Sequence, residues 1–229
     1  MSTSAKNWDN HVVEVEEVAR RAGFQDLCVR IIERAQLQPG DVVADIGAGT
    51  GLLSLPIAQR TTSVWAIDIA PAMRDYLRAK AASAGVENID AVVASAVSLP
   101  LVDESVDLVV SNYCFHHLSD PDKAEALREA ARVLRPGGRL VFGDMMFRPS
   151  LNDPRDRRVV LSKVKAMIRK GPAGLLRLAK NGARFATARW EKPARPQWWE
   201  HALVAQGFID VSVQTLPHEG GIASARKPA

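Results

Sequence analysis

Two hydrophobic periods alternate along the chain. Val12, Val15, Val18 and Ala19, then Leu27, Ile31, Ile32 and Ala35, recur at helical spacing on either side of Gly23, so the first 38 residues predict helices. After Pro39-Gly40 the period changes. VVADI (42–46), SVWAID (63–68), IDAVVA (89–94), VDLVVS (106–111) and RLVFGD (139–144) are short, β-branched and apolar almost throughout, as strands buried on both faces are. Between them 51–59, 72–84 and 121–134 read as helices, the last closed by Arg135-Pro136-Gly137-Gly138. Repeated strand-then-helix units imply an α/β fold, a doubly wound and mostly parallel sheet.

The pattern breaks after the fifth strand. Over 157–170 one helical face carries Val160, Leu161, Val164, Met167 and Ile168, with basic residues elsewhere, and Gly171-Pro172 ends it. Residues 174–186 predict a second basic helix. A further helix starts near Pro196 and is capped by Gly207. The tail, 208–215 and 221–226, supplies two more strands joined around Gly220-Gly221, which brings the sheet to seven.

Composition narrows the class. With 229 residues, 47% hydrophobic and 24% charged, the chain has the make-up of a globular domain with a sizeable core. Its two cysteines, Cys28 and Cys114, form no CxxC pair, which argues against a disulfide scaffold or zinc ribbon and fits a cytoplasmic protein. No signal-peptide pattern or membrane-length apolar run is visible. Charge changes the picture more. From Arg148 to Arg195 there are 14 Lys/Arg against Asp153, Asp156 and Glu191, so this segment carries +11 and the remainder of the +4 chain carries −7. That asymmetry marks a specialised segment.

The chemistry centres on Asp45-Ile46-Gly47-Ala48-Gly49-Thr50-Gly51, at the end of the first strand. Glycines let a backbone turn sharply and approach a ligand where a Cβ would collide. A helix starting near Gly51 would point its N–H groups and positive end into the same crevice, an anion seat. Asp68, ending the second strand, is placed to accept both hydroxyls of a ribose. A dinucleotide fingerprint, GxGxxG, needs a third glycine at position 52, which is Leu. Asp45 would repel a pyrophosphate and suits a ligand bearing an ammonium group.

At VVADIGAGTG, AIDIAPAM, VDESVDLVVSNYCFHHLSDPDKA and REAARVLRPGGRLVFGD the chain resembles the class I S-adenosylmethionine-dependent methyltransferases, nearest the small-molecule group that includes ubiquinone and menaquinone C-methyltransferases. The resemblance covers roughly residues 8–146 and the closing strands. It implies S-adenosylmethionine as cofactor, S-adenosylhomocysteine as product, and no metal. By position, Asp45, Gly47, Ala48, Gly49 and Gly51 would hold the methionine part. Asp68 would hold the ribose, Ile69 and Met73 would lie on or beside the adenine, and Asn112 would line the pocket near the sulfonium. The acid that the family usually places after its third strand is here Ser95, followed by Ala96, so the adenine contact would be neutral. One domain, 1–229, would divide into a helical lid (1–38), a cofactor-binding core (39–147), a basic helical insert (148–195) capping the acceptor pocket, and the final helix and strand pair (196–229).

His116, His117 and Asp144 are the catalytic candidates. A histidine can take an acceptor's proton near neutral pH, and Asp144 ends the fifth strand at the crevice. Each also has a structural alternative, in turn or helix-start packing. His11, His201 and His218 show no metal-ligand spacing. Trp8 and His11 fall on the lid, and Trp190, Trp198 and Trp199 read as packing residues. The expected reaction is methyl transfer to an O, N or C atom of a small lipophilic or aromatic acceptor. The alternatives are a non-catalytic S-adenosylmethionine-binding partner protein and an RNA-modifying enzyme. The basic insert reads as a solvated helix pair or as a peripheral contact with an anionic membrane. Its few aromatics argue against nucleic acid. Oligomeric state is not legible.

Overall fold

The computed structural model describes residues 8–20, 22–147, 153–169, 171–173, 176 and 192–229. Seven strands form one sheet: β1 (Val42–Ile46), β2 (Ser63–Asp68), β3 (Ile89–Val93), β4 (Val106–Asn112), β5 (Leu134–Met145), β6 (Ile209–Thr215) and β7 (Gly220–Arg226). Their order is β3-β2-β1-β4-β5-β7-β6, with β7 antiparallel between β5 and β6 and the others parallel. The seven strands and their mostly parallel arrangement are those expected. β1 and β4 are buried along most of their length, whereas edge strands β3 and β6 are not, as a sheet covered on both faces requires.

The helices are α1 (Val12–Ala19), α2 (Ala22–Ala35), α3 (Ser54–Ala58), α4 (Pro71–Ser83), α5 (Asp120–Val133), α6 (Pro154–Ile168) and α7 (Pro196–Ala205), with 3-10 turns at Trp8–His11 and Phe115–His117. On one face Ala126, Leu127 and Ala130 of α5 and Trp199 and Leu203 of α7 bury against Val109, Leu140 and Phe142. Trp199 is fully buried, its ring 4.8 Å from that of Phe142. On the other face Leu27, Ile31 and Ala35 of α2 pack on Val43, Val110 and Val141. So α2, which falls within the expected lid, is a wall of the core. The tight seat of Leu27 explains Gly143, where a Cβ would come within 2.6 Å of Leu27 Cγ.

Three elements differ from the sequence expectation. The helix expected over 51–59 is only the five residues of α3, because Gly51 turns with φ +83° and Pro56 has no N–H to donate. β5 begins at Leu134, so Arg135–Gly138 belongs to a strand irregularity opposite Val106–Leu108. α6 starts at Pro154, three residues early, because the Asp153 carboxylate caps the N–H groups of Arg155 (2.8 Å) and Asp156 (2.9 Å). The helix expected over 174–186 and Trp190 lie outside the described residues, apart from Leu176. Among the described residues no helix is long and apolar enough to cross a membrane.

Candidate active site

The chain reverses its winding between β1 and β4, which opens a crevice at the carboxyl ends of those strands, where open α/β sheets bind ligands. The glycine turn enters it from β1. The N–H groups of Gly47 and Ala48 both donate to the carbonyl of Ile67 (2.8 and 3.0 Å), pinning the turn to β2. Gly47 has φ +72°, and a Cβ there would overlap Cys114 Sγ. Gly49 has φ +52°, but its Cβ would meet nothing nearer than Val15 Cγ1, at 3.7 Å. Gly47 therefore serves close packing, while Gly49 borders a gap under α1. Ala48 is buried between them.

Two acids flank the turn. Asp45 is buried and accepts from Ser54 Oγ at 2.6 Å. Burial pushes its carboxyl up to about 7, with the Asp68 charge adding to the rise and the Ser54 hydrogen bond opposing it. Asp68 accepts from Gly49 N through Oδ2 and from Ala70 N through Oδ1, both at 2.9 Å. Burial also raises the Asp68 carboxyl, against those backbone hydrogen bonds. Each Asp68 oxygen keeps a second lone pair for a ligand hydroxyl.

One donor of the expected anion seat is already taken. The Gly49 N–H is engaged by Asp68, and α3 is only five residues long. With the buried Asp45 and the half-buried Asp68 beside the turn, the crevice fits an amine-bearing nucleoside better than a pyrophosphate. Ile69, just past β2, is 54% exposed, an apolar surface beside Asp68 suited to a base. Met73, four positions on, is buried in α4. Ser95 and Ala96 are half-buried after β3, where Ser95 bridges to Ser98. Asn112 ends β4, and its buried Oδ1 has no hydrogen-bond partner among the described residues, an acceptor left over at the crevice. These residues fit S-adenosylmethionine.

A second cluster adjoins the first. Asn112 pairs with Gly143 across β4 and β5, and the next residue, Asp144, is buried. Asp144 Oδ1 lies 2.6 Å from His116 Nδ1, and Asp144 Oδ2 accepts from the His116 backbone N–H at 3.0 Å. An ionised carboxylate only accepts, so Nδ1 carries the proton and Nε2 is the basic nitrogen. The exposed His117 ring lies 3.9 Å from that of His116, and Trp8 packs edge-on to His117 at 4.7 Å. Tyr113, stacked on Phe24 at 4.2 Å, lies edge-on to His116. The Lys192 N–H holds the His116 carbonyl at 2.7 Å, and buried Lys123 Nζ holds that of Leu118 at 2.9 Å. Since Cys114 sits against Gly47, the two clusters share a wall.

Sequence reasoning missed the residues that fasten α1 and the turn before it. Asp9 accepts from Ala72 N (2.9 Å) at the start of α4. Lys80 Nζ reaches both Glu16 oxygens (3.1 and 3.0 Å) and the Thr50 carbonyl (3.2 Å). Burial would raise the Glu16 carboxyl, but hydrogen bonds from Thr50 and Lys80 hold it below its usual value. Glu16 and Lys80 are 64 positions apart, and no local signal pairs them. His11 bonds Glu14, His201 is exposed on α7, and His218 accepts from Gly220 N, so the three are dispersed.

Comparison with known proteins gives the family. Residues 43–138 match the family described as "Methyltransferase domain". The 27-O-demethylrifamycin SV methyltransferase of Amycolatopsis mediterranei is 31% identical over 221 residues, covering 91% of this chain and 76% of that protein. An uncharacterized methyltransferase of Anoxybacillus flavithermus is 31% identical over 145 residues, 62% of this chain, and the match spans just 64% of that relative's length. The crystal structure of a SAM-dependent methyltransferase from Aquifex aeolicus shares the fold at TM-score 0.65 and 18% identity, over 94% of this chain and 97% of that one. The chain belongs to the class I S-adenosylmethionine-dependent methyltransferases.

Proposed function

We propose that the protein catalyses methyl transfer from S-adenosylmethionine to a small lipophilic or aromatic acceptor, and that the Asp144–His116 pair takes the acceptor's proton. When bound, S-adenosylmethionine supplies a methyl group already activated by its sulfonium. Asp68 would accept the ribose hydroxyls, Asp45 would face the ammonium group, Ile69 would cover the adenine with Ser95 and Ala96 at its edge, and Asn112 Oδ1 would line the reacting end. Alignment of the acceptor with the methyl group supplies most of the rate.

His116 and Asp144 do the remaining work. As an acceptor hydroxyl becomes a nucleophile, its proton passes to His116 Nε2, and the imidazolium is stabilised by the carboxylate already held on Nδ1. The backbone bond from His116 N to Asp144 keeps the pair from rotating apart. His117 and Tyr113 flank His116, backed in turn by Trp8 and Phe24, an aromatic surface that suits a flat or apolar acceptor. By its name, the Amycolatopsis relative is a 27-O-demethylrifamycin SV methyltransferase.

The observation that carries the reading is the meeting of the glycine turn and Asp68 with a buried Asp–His pair at one end of the sheet. Formation of S-adenosylhomocysteine across a panel of phenolic, hydroxyquinone and amine acceptors tests it. His116→Gln should lower kcat by about 100-fold or more while leaving cofactor affinity unchanged. Cofactor binding with no turnover on any acceptor would leave a binding protein instead.

A further inference from the structure

We propose that the outward face of α6 docks the protein on an anionic lipid surface, so that the acceptor is delivered from a bilayer. Only the acceptor half of this statement rests on the methyl-transfer reading. The inner face of α6 is firmly held. Arg155 donates to four carbonyls, those of Met146 (2.9 Å), Leu216 (3.1 Å), His218 (2.8 Å) and Gly220 (2.9 Å), and Val159 is buried with Met145, Phe147 and Tyr113. Asp156, the one acid within the helix, is buried on that side.

Among the described residues the opposite face has no such cover. Leu161 and Ile168, one heptad apart, are 56% and 54% exposed. Arg157, Arg158 and Lys165 stand at −4, −3 and +4 from Leu161, with Arg169 just after Ile168, and all four are exposed. Helical geometry therefore places two apolar side chains and four cations on one side, with no acid among them. This is the arrangement of an interfacial helix, in which cations meet anionic headgroups and apolar residues enter the acyl boundary. A nucleic-acid backbone would satisfy the cations but offer Leu161 and Ile168 nothing to bury against. A fluid anionic surface needs no positional match to the cations.

The placement ties docking to the reaction. Met145, which packs under α6, follows Asp144 directly, and Tyr113 in the same cluster lies edge-on to His116. The lipid-facing side of α6 is thus separated from the proposed base by the thickness of the helix and the Tyr113 ring.

Co-sedimentation of the full chain with vesicles of phosphatidylcholine, with and without phosphatidylglycerol, decides it at low and high salt. No cofactor or acceptor is present, so failure to bind leaves the methyl-transfer reading standing, and a failure of turnover leaves docking standing. The expected result is binding to the anionic vesicles only, weakened by salt. Replacing two cations, Arg158→Gln with Lys165→Gln, should lower partitioning about 30-fold. Leu161→Gln with Ile168→Gln should remove the binding that survives high salt. All four positions are exposed, and an unchanged circular dichroism spectrum confirms that each variant folds. Wild-type protein remaining in the supernatant under every condition, or variants sedimenting as wild type does, would overturn the proposal. So would retention on an acidic carrier protein in place of vesicles.

Discussion

Binding of S-adenosylmethionine should expel a proton from Asp45. In the ligand-free protein burial holds this carboxyl at about 7, more than three units above its ordinary value, with the Asp68 charge adding to the rise. At pH 6 it is then about nine-tenths protonated, and at pH 7 about half. An ammonium group seated beside it favours the ionised form, so binding should release about 0.9 proton at pH 6 and about 0.5 at pH 7. Affinity should rise about fivefold over that interval, ~1 kcal/mol. The ligand's own amine is largely protonated below pH 7, so the release belongs to the protein. Titration calorimetry in buffers of different ionisation enthalpy measures the released proton directly. In Asp45→Asn the difference between pH 6 and pH 7 should vanish. Equal release in the wild type and this variant would refute the placement of the ammonium beside Asp45. The same raised value has a stability consequence of fixed sign. The unfolded chain loses this proton near pH 4 and the folded one near pH 7, so the ligand-free protein should lose stability as pH rises from about 4 to about 7 and level off above.

The glycines of the turn should separate by phenotype. Gly47→Ala drives a Cβ into Cys114 at a left-handed φ and should destabilise the fold by about 2–4 kcal/mol. Gly49→Val, whose Cβ meets nothing closer than ordinary contact, should cost the fold about 1–2 kcal/mol of backbone strain yet abolish cofactor binding, as thermal melts and calorimetry would show. Asp68→Ala removes both the ribose acceptor and the clamp on Gly49, and cofactor affinity should fall by about 1.5–3 kcal/mol; an unchanged Kd would place the ribose elsewhere. Lys80→Ala unfastens α1 from Thr50, and stopped-flow displacement should show cofactor leaving about fivefold faster, the worth of one partly buried ion pair.

The pattern of hydrophobic residues was enough to order the sheet's elements and to place the glycine turn and Asp68 at strand ends, because strand period, glycine spacing and helix stops are local properties. The cofactor class was also legible, since GAGTG differs from a dinucleotide fingerprint at a single readable position, Leu52. Contacts across long separations were not. Periodicity shows that α2 has an apolar face, but not that this face meets Val110 and Val141 and so makes α2 a core wall. It was tertiary packing that used Asp68 to clamp Gly49, set Cys114 against Gly47 and tied Glu16 to Lys80. The pairing of His116 with Asp144 spans 28 residues and exists because β4 and β5 lie in register, which sets the Phe115–His117 turn beside the end of β5. Burial then decided the electrostatics. Asp45 is an ordinary carboxyl in the sequence, and only the removal of water around it in the folded chain moves its titration toward neutral pH.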